Sequence, residues 1–195
     1  MNSSNQKTKV KRNSFSTIDK HYTFNYTPTF DKVYKKANKT SFLHGKINSN
    51  SNEIVLGINE IPSTTLDKRY FLPFTKYYQA LNSDTDFQFI SDLDNTEELN
   101  FQFFFFGHSL DTSDKDYINE VFDFVNESKS KIKNIFIVYH NKESKSRLLI
   151  NLLNIRGKDD IKALSRRKDL IFLNSKSIEL ERELNKNIVV PVILQ

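Results

Sequence analysis

The residues of this chain that could do chemistry fall in three short segments: Asn25, the pair His44 and Gly45, and the turn from Gly107 to Asp111. An imidazole titrates near neutral pH, so His44 could act as a general base that takes a proton from water or from a hydroxyl group. Gly45 would let a substrate approach the backbone closely. The side-chain amide of Asn25 could orient a water molecule or a ribose hydroxyl.

The turn Gly107–Ser109 could contact a nucleotide, because the Ser109 hydroxyl can bond to ribose or to phosphate. Asp111, Asp114 and Asp116 crowd the start of the helix that is predicted after this turn. Their carboxylates would repel a phosphate and would accept hydrogen bonds from sugar hydroxyls. The pattern therefore favours a sugar hydroxyl over a phosphate at this position.

Each of these residues also has an ordinary structural explanation. His44 could end a strand and bond to a loop carbonyl, and Asn25 is a common residue between a strand and a helix. Asp111 could cap the following helix and interact favourably with its dipole. The residue types and spacing alone leave both explanations open.

Several kinds of site are excluded by composition. There is no Cys, which rules out disulfides and thiolate chemistry and is compatible with a reducing cytoplasm. None of the four Gly is spaced as a P-loop or a G-x-G-x-x-G motif requires. Ser109 lacks the second glycine of a G-x-S-x-G nucleophile elbow. No two His have the spacing of metal ligands, so no metal site is predicted.

Strands alternate with helices along the chain. Strands are predicted at Tyr22–Tyr26, Thr40–Leu43, Glu53–Ile58, Phe101–Phe106, Ile135–Tyr139, Leu170–Leu173 and Ile188–Leu194, and helices after Pro28, over Tyr70–Leu81, after a capping box at Ser113–Asp116 and around Leu148–Leu153. A continuous apolar strand is typical of a parallel sheet that is covered on both faces. The pattern predicts an α/β, Rossmann-like, three-layer fold with a mostly parallel sheet.

In such a sheet the carboxyl ends of the strands share one edge, and ligands bind there. This edge would bring together Asn25, His44, His108, Ser109 and Asp111, each of which follows a predicted strand.

The length of 195 residues predicts a single domain. Residues 1–16 are polar and basic and are expected to be a disordered tail, with the domain over 17–195. The net charge of +5 raises the question of nucleic-acid binding, but the basic residues are interleaved with acidic ones, which argues against it. No run approaches the roughly 20 apolar residues that span a bilayer, and no signal peptide is visible. A cytoplasmic protein is therefore expected.

Taken in order, four segments resemble the AbiH family of bacteriophage abortive-infection proteins. They are Tyr22–Thr29, Leu43–Gly45, Val55–Ile58 and the stretch Phe106–Asp114, which reads GHSLD-x-x-D after its Phe. The resemblance covers residues from about 20 to about 175. The family opens with a strand and a Gly-Asn-Gly-Phe-Asp-Leu turn, which this chain lacks. The resemblance thus implies the C-terminal part of such a protein without its first βα unit, or a divergent short form.

The same segments are more distantly similar to sirtuin-like NAD-binding domains. That resemblance implies that Asn25 orients water or ribose, that His44 is the general base, and that Gly45, Gly107, His108, Ser109 and Asp111 contact a nucleotide. Thr27 stands where such domains have an Asp, and His108 also replaces a different residue.

The function implied by these resemblances is abortive infection, in which phage infection triggers an activity toxic to the host cell. NAD is the candidate cofactor or substrate, and NAD or nucleotide hydrolysis is the candidate activity. The alternative is a non-enzymatic fragment that pairs through an open sheet edge beside Tyr22–Tyr26. Its partner would be another copy of the chain or the product of an adjacent gene.

Overall fold

The structure is a computed structural model that describes residues 18–33, 37–47, 54–58, 61, 68–82, 90, 100–186 and 190–194. Within these residues, six parallel strands form one sheet in the order β2-β1-β6-β3-β4-β5. The strands are β1 (Lys20–Thr23), β2 (Lys39–Phe42), β3 (Phe101–Phe106), β4 (Lys133–Tyr139), β5 (Leu170–Asn174) and β6 (Val190–Leu194). The prediction of a disordered tail over residues 1–16 lies outside the described residues.

Six α-helices lie between these strands in the described part of the chain. They are α1 (Thr29–Val33), α2 (Lys76–Asn82), α3 (Lys115–Glu127), α4 (Lys142–Arg156), α5 (Lys158–Arg167) and α6 (Ile178–Leu184). None of the helices in the described residues is long and apolar enough to cross a membrane.

The sheet is covered on both faces, because the side chains of β3 alternate between two hydrophobic cores. Phe103 and Phe105 pack in one core with apolar residues of α3, α4 and α5. Phe104 packs in the other core with residues of α1 and α6, and its ring stacks on Phe136 of β4 at 4.7 Å between centroids. The three-layer, Rossmann-like prediction is confirmed.

The strand order follows the doubly wound pattern, in which the chain moves outward from a central strand first to one side and then to the other. Here β1 and β2 lie on one side of β6, and β3, β4 and β5 lie on the other. The place that the first strand usually takes is filled by β6, whose backbone pairs with β1 and with β3. The partner of this strand could not be predicted from its sequence.

This arrangement corrects the expectation of an open edge beside Tyr22–Tyr26. β1 has a strand on each side, and the edges of the sheet are β2 and β5. Pairing with a second copy of the chain or with another protein stays a prediction, but an open edge at β1 no longer supports it.

Three local predictions are also wrong. Residues 54–58 form no strand and contribute only an isolated bridge from Ile58 to Thr75. The helix predicted over Tyr70–Leu81 is two 3-10 turns, Lys68–Tyr70 and Leu72–Phe74, followed by α2. Pro73 lacks an amide hydrogen, which disfavours one continuous helix.

The third error is the capping box predicted at the start of α3. There Asp111 accepts a hydrogen bond from the amide of Ser113 and caps the 3-10 turn Thr112–Asp114 instead. A capping box is present at α4, where Asn141 and Ser144 bond to each other's backbone.

Replacing Phe104 by Ala should lower the free energy of unfolding by about 3–5 kcal/mol, because it leaves a cavity between the sheet and its helices. Urea unfolding followed by circular dichroism measures this change.

The matched control is Phe74→Ala, whose side chain is 62% exposed and which should change the free energy of unfolding by less than about 0.5 kcal/mol. Equal effects of the two substitutions would contradict the assignment of Phe104 to a core.

Candidate functional site

The candidate residues follow strands that end at one edge of the sheet. β1, β2 and β3 run parallel, so their carboxyl ends lie on the same side. Phe24 follows β1 directly, His44 lies two residues beyond β2, and His108 lies two residues beyond β3. The structure brings these three side chains together.

The carboxylate of Asp114 connects the two histidines. Its Oδ1 atom lies 3.1 Å from Nε2 of His44 and 2.7 Å from Nζ of Lys76, and its Oδ2 atom lies 3.5 Å from Nε2 of His108. These groups come from the end of β2, the start of α2 and the turn before α3. We call Asp114, His44, His108 and Lys76 the Asp114 cluster.

Burial would by itself raise the pKa of the Asp114 carboxyl group. The favourable contacts with His108, His44 and Lys76 outweigh burial and hold this pKa well below its ordinary value. Asp114 is therefore ionised at neutral pH, and the adjacent ammonium group of Lys76 balances its charge.

His44 is held tightly and is incompletely bonded. Its side chain is 7% exposed. Although Nε2 lies within ion-pair distance of Asp114, the ring is not aligned for a well-formed hydrogen bond, and no described residue is a hydrogen-bond partner of this atom. A buried polar atom of this kind is rare and needs an explanation, of which a catalytic role is one.

His108 has a defined tautomer. Its Nδ1 atom accepts a hydrogen bond of 2.9 Å from the amide of Leu110. An amide can only donate, so Nδ1 carries a lone pair, and the proton of the neutral ring is on Nε2, facing Asp114. The neutral ring therefore has no free lone pair, and His108 is poorly suited to act as a base.

Aromatic side chains enclose the two imidazoles. The ring of Phe24 lies 5.1 Å from that of His44 and 4.3 Å from that of His108, between centroids. Tyr117 of α3 donates a hydrogen bond of 3.2 Å from its hydroxyl to the carbonyl of Leu43, next to His44. These contacts fix His44 from the side of β1 and from the side of α3.

The turn that carries His108 has an unusual backbone. Gly107 has a φ of 72° and Leu110 has a φ of 52°, both in the left-handed region. A leucine is strained there, and its fully buried side chain and its amide bond to His108 hold it in place. The strain supports a functional role for the turn.

The other predicted site residues are not members of the Asp114 cluster. Asn25 is exposed, and among the described residues no side-chain contact joins it to the cluster. Gly45 has a φ of 80° and turns the chain after His44. Ser109 is exposed, and Asp111 is engaged in capping Ser113.

Asp114 and Lys76 are members of the site that the sequence did not predict. Asp114 is one of the acidic residues at a predicted helix start, and it is also the last Asp of the GHSLD-x-x-D stretch. That spacing was the available signal. Lys76 lies in a segment predicted only as an aromatic helix, and nothing local to it indicated an ion pair.

Two cavities lie on either side of the Asp114 cluster. The first, of about 390 Å³, lies where β3 and β4 end and is called the basic cavity. It is lined by Gly107, His108, Ser109, Val138, Tyr139, His140, Ser144, Arg147, Leu148 and Asn151. The lining contains an arginine and two histidines, and no Asp or Glu is among these described residues.

The second cavity has the opposite character and is called the acidic cavity. It has a volume of about 330 Å³ and lies between α2 and α3. It is lined by Lys76, Tyr77, Ala80, Ser113, Asp114, Asp116, Tyr117, Asn119, Glu120 and Asp123. Burial, together with nearby Asp116, raises the pKa of Glu120. An anionic ligand is disfavoured in this cavity.

The separation of the acidic and basic cavities modifies the expectation that carboxylates repel phosphate from the turn Gly107–Asp111. Asp114 and Asp116 line the acidic cavity, and Asp111 is engaged as a cap. The turn residues His108 and Ser109 instead face the basic cavity. His44 and Asn25 are not in the described lining of either cavity. The ring of Phe24 contacts both His44 and His108.

No group of three or more His, Asp or Glu side chains in the part of the chain that the structure describes is arranged to hold a metal ion. In the Asp114 cluster, Nε2 of His44 and Nε2 of His108 each face an oxygen of the Asp114 carboxylate, rather than facing a shared position where a metal ion could bind.

A family model described as bacteriophage abortive infection AbiH matches residues 1–137. The chain belongs to the AbiH family. It is thus a member of a family of bacteriophage abortive-infection proteins. No curated protein and no solved structure matches the chain.

The AbiH match includes all four residues of the Asp114 cluster and ends within β4. It stops short of the resemblance predicted to extend to about residue 175. His140, Arg147 and Asn151, which line the basic cavity, lie beyond it. The cavity is thus formed partly by the matched segment and partly by the segment that follows.

Replacing Asp114 by Asn should destabilise this AbiH protein by about 3 kcal/mol at neutral pH, because Lys76 would keep a mostly buried charge without its carboxylate. The contribution of Asp114 is present above its ordinary pKa of 3.8 and is lost as the pH falls toward its lower folded-state pKa. Urea unfolding from about pH 6 to about pH 2 should therefore show a steeper loss of stability in the wild type than in Asp114→Asn.

The control is Asp159→Asn on α5, an exposed carboxylate with no ion-pair partner among the described residues. Its pH profile should match that of the wild type. Parallel profiles for the wild type and Asp114→Asn would show that the Asp114 cluster does not stabilise the fold.

Proposed function

We propose that this AbiH-family protein acts in abortive infection by binding a nucleotide at the carboxyl edge of its sheet and hydrolysing NAD. The observation that carries the proposal is the Asp114 cluster, in which a buried carboxylate lies against an incompletely bonded histidine at the edge where doubly wound sheets bind ligands. Family membership supports the defence role, and the cluster supports the chemistry.

His44 is the general base in this proposal. The Asp114 carboxylate next to Nε2 favours a proton on that nitrogen, which leaves the lone pair on Nδ1 to accept a proton. Asp114 acts as a positioning residue, like the buried carboxylate that orients a histidine in other hydrolases. His108 has both ring nitrogens engaged and helps to hold Asp114 in place.

In the hydrolytic step a water molecule adds to C1′ of the nicotinamide ribose as the bond from C1′ to the ring nitrogen breaks. The bonding electron pair goes to nicotinamide, and the proton of the water goes to His44. Nicotinamide and ADP-ribose are released, so atoms and charge balance. The Asn25 amide orients the water, as the sirtuin-like resemblance implies.

Access to His44 depends on Phe24 in this proposal. The Phe24 ring contacts both imidazoles, and His108 but not His44 is in the described lining of the basic cavity. A displacement of Phe24 would join the cavity to His44. The nucleotide occupies the basic cavity rather than the acidic one, because among the described lining residues carboxylates occur only in the acidic cavity.

The purified protein should convert NAD to nicotinamide and ADP-ribose, measured by chromatography. His44→Ala should lower the rate by at least about 100-fold, which is the usual contribution of a general base. Asp114→Asn should lower the rate and also shift its pH profile, because the charge beside His44 is removed.

Asp159→Asn is the matched control and should retain wild-type turnover, since its exposed carboxylate lies on α5, away from both described cavities. Circular dichroism of each variant verifies folding. Equal NAD turnover in the wild type and a folded His44→Ala protein would refute the proposed reaction.

A further inference from the structure

The basic cavity is lined by a guanidinium group that no described residue binds. Arg147 of α4 lines this cavity, and its side chain has no ion-pair or hydrogen-bond partner among the described residues. In contrast, Arg156 binds Asp123 and Asp160, and Arg167 binds Asp169. The charge of Arg147 is therefore available to a ligand in the cavity.

Two other polar side chains of the cavity wall, His140 and Asn151, are held by hydrogen bonds. Nδ1 of His140 lies 2.9 Å from the hydroxyl of Ser175, so its Nε2 is the remaining polar atom of the ring. The side-chain amide of Asn151 donates a hydrogen bond of 2.9 Å to the carbonyl of Ser109. That bond fixes the amide plane, and the side-chain oxygen of Asn151 accepts no hydrogen bond from another described residue.

Three backbone amides at the start of α4 are already bonded within the protein. Asn141 and Ser144 form a capping box, and the hydroxyl of Ser144 also accepts a hydrogen bond from the amide of His140. The backbone amides of His140, Asn141 and Ser144 are thus engaged inside the protein. Recognition of a negative charge would fall to Arg147 and His140.

We propose that the basic cavity binds a ribose phosphate and that Arg147 is the residue that recognises the phosphate. This deepens the proposed nucleotide site by naming its ligand class and rests on that proposal. The guanidinium fork matches the oxygens of a phosphate, and a donor from His140 adds to it. The ribose hydroxyls donate to the oxygen of Asn151 and bond to the hydroxyl of Ser109.

The size and charge of the cavity agree with this ligand. Its volume of about 390 Å³ is near the lower end of the roughly 300–1,000 Å³ that is common for small-molecule sites. That is suited to one ribose phosphate with its base rather than to an entire dinucleotide. The described lining has no carboxylate that would repel a phosphate.

Isothermal titration calorimetry at low salt with AMP, ribose 5-phosphate and adenosine tests this inference. AMP and ribose 5-phosphate should bind, and adenosine should bind at least about 10-fold more weakly than AMP, because it lacks the charged group. Arg147→Ala should weaken binding of AMP by about 10- to 100-fold and leave adenosine unchanged. Arg147→Lys should retain part of the affinity, since it keeps the charge but not the fork.

Arg166→Ala is the matched control, because Arg166 is an exposed arginine on α5 outside the cavity lining. It should bind AMP like the wild type. Equal affinity for AMP and adenosine, equal affinity of the wild type and Arg147→Ala for AMP, or no binding of any of the three probes would overturn the inference.

The inference and the proposed reaction can fail separately. Arg147-dependent binding of AMP without turnover of NAD would support the phosphate site and refute the hydrolysis. NAD turnover that depends on His44 but not on Arg147, together with equal binding of AMP and adenosine, would support the reaction and overturn the phosphate site.

Discussion

A single buried carboxylate joins the parts of this protein that its sheet alone would leave separate. Asp114 comes from the turn before α3, His44 from the end of β2, Lys76 from the start of α2, and His108 from the end of β3. Removing a charge from water is costly, so each of these side chains depends on the others to remain buried. This one interaction connects the two imidazoles, the turn before α3 and the start of α2.

The Asp114 cluster also separates two environments of opposite charge. The carboxylates of α3 face the acidic cavity, and the arginine and histidines beyond β3 and β4 face the basic cavity. The segregation follows from topology, because the acidic cavity lies between α2 and α3 while α4 begins beyond the carboxyl end of β4. A helix start rich in carboxylates therefore lies beside a cavity lined by an arginine and two histidines, with the Asp114 cluster between them.

The fold was more predictable than the site, for physical reasons. The apolar run Phe101–Phe106 can be stable only where both faces are covered, so it specified a central strand in a three-layer fold. Parallel strands then required His44 and His108 to share an edge. The bond from Asp114 to Lys76 joins segments far apart in sequence, and no local periodicity encodes such a contact. The central position of β6 could not be predicted from the sequence either, because a proline within Val190–Leu194 argues against a central strand.

The position of β6 governs how the sheet can assemble. Among the described strands, β6 alone bridges the pair β1 and β2 to the group β3, β4 and β5. It follows all of them in the chain, so both halves leave the ribosome before the strand that joins them. Contacts between residues so distant in sequence, such as Tyr22 with Leu194, form slowly. The carboxyl edge that carries His44 and His108 is thus completed only when β6 inserts. Until then His44 lies beside the pair β1 and β2, and His108 lies beside the group β3, β4 and β5, without a strand to join them.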